Sequence, residues 1–173
     1  HLYVAKASTT QDQMDRGGVE AARAVQVDPL NATARGFHAL TLSELGDDAE
    51  ALKEAERAVE LAPIDSTAHL NLAITAERTD KQRAIAEARR AIELGPENFS
   101  AYQMLMKCLL DSKRYNEAAA FGPEWLTVSP FDVAAHSSLA LATSQTGEVS
   151  AAARQFGYVM MLQPSAEEPL AQL

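Results

Sequence analysis

The chain has 173 residues and a formal net charge of −9, with 47% hydrophobic but only 6% aromatic residues. That balance argues against a nucleic-acid partner, whose backbone demands clustered Lys and Arg. Eight glycines and seven prolines are too few for a β-sandwich with many tight turns. Alanine and leucine therefore supply most of the core.

Apolar periodicity and turn residues predict helices in pairs along the chain. Taken in order, they run over 2–11 and 18–27, 32–45 and 48–61, 66–78 and 81–94, 99–111 and 115–128, then 133–146 and 148–162. Gly46 and Gly147 stand where a first helix must end in the left-handed conformation. Asp47 or Asp48, and Asp65 or Ser66, are placed to cap the helices that follow. Nothing replaces the glycine between Thr79 and Asp80, so that unit is one residue short. Connections of a few residues force neighbouring helices antiparallel.

The pairs are copies of one another. Pro29, Pro63, Pro96, Pro130 and Pro164 lie 34, 33, 34 and 34 residues apart, each preceded two positions earlier by an apolar residue. Ala51, Ala55 and Ala58 match Ala84, Ala88 and Ala91 one repeat later, and Ala39, Ala73 and Ala140 share a place in the first helices. Offsets of four and three put each trio on one helical face, where two helices must approach closely. A fixed period of this length marks stacked supersecondary units.

The pattern resembles the tetratricopeptide repeat, with its small residue in the first helix, alanines in the second and a terminal proline. The resemblance covers nearly the whole chain. It implies an all-α, right-handed α-solenoid of about five antiparallel helix-turn-helix repeats. Residues 1–173 then form a single array: a partial repeat over 1–31, full repeats over 32–65, 66–98, 99–132 and 133–166, and the start of a capping helix over 165–173. Arg35, His69 and His136 stand where the family often has Trp, and Tyr102 takes the same place in the fourth unit. That unit is irregular. Gly122-Pro123 interrupts its second helix, and Trp125 replaces the alanine of the other units. An interior proline costs about 3 kcal/mol. Either a bend reshapes the superhelix or exposes Trp125, or the helices repack locally around it.

No side-chain pattern points to catalysis. His1, His38, His69 and His136 form no helical ligand pair. There is no phosphate-binding loop, dinucleotide fingerprint or nucleophile elbow, and no cofactor or metal is expected. Cys108 lies in the apolar stretch Met104 to Leu110 and reads as core. As the single cysteine it excludes an internal disulfide and fits a reducing compartment. Asn31-Ala32-Thr33 and Asn98-Phe99-Ser100 match the glycosylation triplet at repeat junctions, where chance matches are common. No apolar run reaches the length of a membrane span. The chain opens on His1, as a piece of a longer protein would.

In the family that the sequence resembles, first helices line a concave groove. The register places Phe37, Leu40, Leu70, Asn71, Ile74, Met104 and Lys107 on it as the candidate peptide-binding residues. Tyr3, Lys6, Ser43, Glu44, Glu77, Arg78, Gln103, Asp111, Ser137, Ser138, Leu141 and Gln145 continue the lining. Asn71 takes the place of an asparagine that holds the ligand backbone in peptide-binding relatives, a task an amide suits because it both donates and accepts. Gly36, Phe37, Leu40, Ser100 and Met104 occupy places that a clamp for chaperone C-termini makes polar or basic, so that partner is excluded. The expected function is non-catalytic binding of a peptide segment or partner helix. The rival readings are a module that self-associates through its ends and a regulatory region of a larger enzyme or membrane-anchored protein.

Overall fold

A computed structural model describes residues 17–163. The helix expected over 2–11, the lining residues Tyr3 and Lys6, and the capping segment 165–173 lie outside them. Among the described residues every regular element is helical. They are α1 over 17–27, α2 Ala32–Glu44, α3 Asp48–Leu61, α4 Ser66–Ala76, α5 Lys81–Leu94, α6 Phe99–Asp111, α7 Tyr115–Val128, α8 Val133–Gln145 and α9 Val149–Leu162. They fall into two compact units that divide between Met104 and Leu105.

In the first unit the helix starts follow from capping chemistry. Asn31 Oδ1 accepts from the Ala34 N–H at 2.9 Å, and Asp65 Oδ1 accepts from the Thr67 N–H at 2.8 Å. Asp47 and Asp80 do the same for Glu50 and Arg83. Each satisfies a donor that the first helical turn leaves unpaired. Gly46 ends the α2 hairpin turn at φ 86°, a conformation that costs glycine nothing. The next hairpin lacks that glycine. There α4 stops at Ala76, and Glu77 to Thr79 make the turn, closed by the Asp80 N–H on the Ala76 carbonyl at 2.7 Å. The helix is shorter than the expected 66–78 for this reason.

Alanines set the closeness of the hairpins. Ala51, Ala55, Ala58, Ala84, Ala88 and Ala91 are all fully buried, as is Ala39 of α2 and Ala73 of α4. Ala39, Ala55 and Leu72 form a core cluster, with Leu52 and Val59 packed against it. With no side chain beyond Cβ, such positions let helix axes come to the short end of the usual 8–10 Å range.

The places where the family often has Trp hold a polar latch instead. Arg35 Nε donates to the Pro29 carbonyl at 2.8 Å, and its Nη1 meets Glu54 at 2.6 Å. One repeat later the His69 ring sits between the Pro63 carbonyl at 3.1 Å and Glu87 at 2.7 Å. In the second unit His136 lies between the Pro130 carbonyl at 3.0 Å and Gln155 at 2.6 Å. Each latch ties the repeat-closing proline to the second helix of the next hairpin. These bonds give His69 and His136 the same structural task in their two hairpins.

The second unit holds the irregular helix. Its turn into α7 uses Lys113 at φ 56°, in the place that Gly46 and Gly147 take in two other hairpins. Beside it, a hydrogen bond to Glu117, reinforced by that carboxylate's charge, holds the Arg114 guanidinium above its ordinary pKa. Helix α7 runs unbroken from Tyr115 to Val128 with Pro123 inside it. Trp125 is only 1% exposed, so the reading in which a bend exposes the indole is wrong. The reason lies in Gly122: a Cβ there would meet Leu139 Cδ1 of α8 at 2.6 Å. The pair Gly122 and Trp125 thus replaces the two alanines of other units by one smaller and one larger residue. Leu139 moves into the first space, and the indole fills the second.

Candidate functional site

The face singled out by the repeat register is carried in the first unit by α2, α4 and the start of α6. Phe37 and Leu40 lie one helical turn apart on α2. Phe37 is 54% exposed, and Leu40 is half-buried. Both line a cleft of about 670 Å³ between α1 and α2, whose walls are mostly small: Gly17, Gly18, Ala21, Ala24 and Ala34. Glu20 and Glu44 stand on its rim together with Asn31, Thr33 and Thr41.

Asn71 is 6% exposed, which differs from the open groove position that the register implied. The cause is α2. Its Gly36 presents a bare Cα to the amide, and a Cβ built there would lie 2.4 Å from Asn71 Nδ2. The remaining opening is a cleft of about 110 Å³ shared with Ala32, Thr33, Phe37, Asp65, Thr67 and Ala68. The Asn71 side chain makes no hydrogen bond to another described residue. The amide faces this cleft, where an entering polar group can pair with both its donor and its acceptor.

Phe37 and Asn71 are therefore brought together, and so are Phe37 and Leu40. Leu70 turns away from Asn71. It is buried and lines a different cleft, of about 530 Å³, with Ile64, Asp65, Ser66, Thr67, Leu94, Glu97, Asn98 and Ser100. Adjacent residues on a helix point about 100° apart, which explains the split. Ile74 is half-buried and Met104 is buried. Lys107 belongs to the second unit, where it is exposed and lies 3.4 Å from Asp111.

The register alone did not single out Thr33 and Thr67, and in the sequence Asp65 reads only as a helix cap and Gly36 only as a place of the chaperone clamp. Thr33 and Thr67 occupy equivalent places in successive repeats, a signal available from the spacing. The importance of Gly36 depends on a contact across helices and has no local signature. Asn31 and Asn98, the two triplet asparagines, are used internally: Asn31 caps α2, and Asn98 Nδ2 donates to Ser66 Oγ at 2.8 Å.

Among the described residues no group of three or more His, Cys, Asp or Glu side chains converges as a metal site would require. No described helix is long and apolar enough to cross a membrane. No protein-family model matches the sequence, and no curated protein matches it significantly. Solved structures do match. Two crystal structures of MamA, each 21% identical, align with TM-scores of 0.75 and 0.76. They cover 97% and 91% of this chain and 93% of the matched chain in each case. YrrB, described as a tetratricopeptide-repeat protein with an unusual peptide-binding site, is 16% identical with a TM-score of 0.70, covering 94% of this chain and 84% of its own. At these identities the likeness establishes the fold: an all-α chain of tetratricopeptide-type hairpins, of the α-solenoid class.

Proposed function

We propose that the chain is a non-catalytic protein-interaction module, built from the repeats over 32–65, 66–98, 99–132 and 133–166. It binds a peptide segment or partner helix on the first-helix face around Phe37, Leu40 and Asn71. The observation that carries this reading is Asn71: an amide nine-tenths buried, without a hydrogen-bond partner among the described residues, opening into a cleft beside an exposed phenylalanine.

The two clefts divide the work. An apolar side chain of the ligand enters the α1–α2 cleft against Phe37 and Leu40, whose small-residue walls leave room for it. The ligand backbone offers a carbonyl and an N–H to the Asn71 amide, which can satisfy both. Buried aromatic anchors of this kind carry most of the energy of an interface. The likeness to YrrB supports the reading, since that protein of the same fold is described by its peptide-binding site.

The test is a peptide-display selection against the chain, followed by titration of the enriched peptides. Binding should fall about thirtyfold with Phe37→Ala, the equivalent of about 2 kcal/mol. Peptides that bind Phe37→Ala as tightly as the unaltered chain would place the site elsewhere.

A further inference from the structure

The carboxylates of the first unit are not all neutralised alike. On the second helices they meet cations: Glu54 pairs with Arg35, Glu56 with Arg83, Glu60 with Arg57 and Glu93 with Arg90. Asp65, just before α4, and Glu97, just before α6, pair with no cationic side chain among the described residues. They stand on adjoining clefts. Asp65 and Thr67 line both the 530 Å³ cleft that holds Glu97 and the 110 Å³ cleft that holds Phe37 and Asn71. No Lys or Arg lines either one. The smaller cleft lies between α2 and α4, so both of its walls belong to described hairpins.

The chemistry of the smaller cleft suits a cation. An anion at a helix N-terminus needs free N–H groups. Here Asn31 Oδ1 takes the Ala34 N–H and Asp65 Oδ1 takes the Thr67 N–H. What remains is the second oxygen of Asp65, the hydroxyls of Thr33 and Thr67, which have no partner among the described residues, and the ring of Phe37. Carboxylate and hydroxyl oxygens accept hydrogen bonds, and a ring face attracts a cation. Asn71 lines the same cleft, 6% exposed and without a hydrogen-bond partner among the described residues.

On the footing of the interaction face around Phe37 and Asn71, we propose that the segment bound there is basic and that one of its lysines enters this cleft. The ammonium donates to Asp65 Oδ2 and to the two threonine hydroxyls, against the Phe37 ring, while the Asn71 amide holds the backbone beside it. An ammonium brings three donors on a thin stem. Arginine suits the place less. A guanidinium pairs best with two carboxylate oxygens at once, and one oxygen of Asp65 already accepts from Thr67. Glu97 in the adjoining cleft extends the negative field and draws further basic residues of the segment. The net charge of −9 favours a partner of the opposite sign.

Peptides enriched by display against the chain, and their single-substituted forms, provide the test. The enriched peptides should carry a lysine. Replacing it by methionine should weaken binding about tenfold, the scale of a charge-assisted hydrogen bond, and replacing it by arginine should also weaken binding. Asp65→Asn keeps the shape and caps a helix as well as Asp does, so its melting temperature should stay near that of the unaltered chain. It should weaken the lysine peptide by a similar factor and leave the methionine form unaffected. Added salt should weaken the lysine peptide more than the methionine form. Enriched peptides without lysine overturn the basic ligand, and so does a methionine replacement that costs as much in Asp65→Asn as in the unaltered chain. If such peptides still lose binding with Phe37→Ala, the interaction face stands and only its lysine falls. If Phe37→Ala leaves them unchanged, the face falls with it.

Discussion

The Asn71 amide of α4 rests on the bare Cα of Gly36 in α2, so close that a Cβ on Gly36 would lie 2.4 Å from Nδ2. This contact decides how near the two first helices come and how much of the amide remains open. It also sets two terms against each other. Glycine inside a helix costs about 1 kcal/mol relative to alanine, whereas an added methyl in a filled space costs about 1–3 kcal/mol. Gly36→Ala should therefore lose about 1 kcal/mol net. In the Asn71→Ala background the clash is gone, and the same change should be stabilising. A double-mutant cycle read by chemical denaturation checks it; an additive cycle would mean that the amide does not rest on Gly36.

Ala55 is fully buried in the cluster with Ala39 and Leu72. Ala55→Leu should destabilise by about 1–3 kcal/mol through overpacking. An unchanged denaturation midpoint would show that this face of α3 has room that the packing denies.

The Gly122–Trp125 exchange makes a paired prediction. Trp125→Ala should cost about 3–5 kcal/mol, the usual range for deleting a buried aromatic side chain. Gly122→Ala should also be destabilising, because its methyl would press on Leu139, and Leu139→Ala should relieve that pressure. Thermal melts of the two single variants and the double variant distinguish a filled space from a loose one.

Much of this was legible in the sequence, and the reasons are local. Helix ends were readable because Asp65 and Gly46 act through their own neighbours. The alanine faces were readable because the repeat supplies several copies of each position. What escaped depended on contacts between helices. Nothing near Asn71 in the chain announces that Gly36 covers it, and nothing near Trp125 announces that Leu139 moves in over Gly122. Leu70 and Asn71 were adjacent in the expected groove yet line different clefts, since a groove inferred from register has no depth.

The latch positions offer a contrast between two kinds of ion pair. Arg35 and Glu54 are largely shielded, with side-chain exposures of 14% and 12%. Glu54→Ala should cost about 1.5–3 kcal/mol, the range for a hydrogen bond to a charged group, because it strands the guanidinium. Arg57 and Glu60 lie in solvent on the same helix, and Glu60→Ala should stay within about 0.5 kcal/mol. Equal effects for the two substitutions would mean that the Arg35 latch is not shielded.

The groove carries the sharpest functional prediction, and it must be separated from stability because Asn71 is buried. If the amide holds a ligand backbone, Asn71→Ala should weaken peptide binding by about 0.5–1.5 kcal/mol, the net worth of a neutral hydrogen bond. That is about two- to twelvefold in dissociation constant. Asn71→Asp keeps the shape and the acceptor but loses the donor, so a ligand held through its carbonyl should discriminate against it more strongly. Isothermal titration gives the affinities, and a denaturation curve for each variant establishes that the fold is retained at the titration temperature. The loss should also depend on the ligand: N-methylation at the peptide bond that donates to Asn71 should weaken binding to the unaltered chain and leave Asn71→Ala indifferent. If both proteins respond equally to N-methylation, the amide does not touch the backbone. The binding energy would then come from the apolar cleft at Phe37 and Leu40.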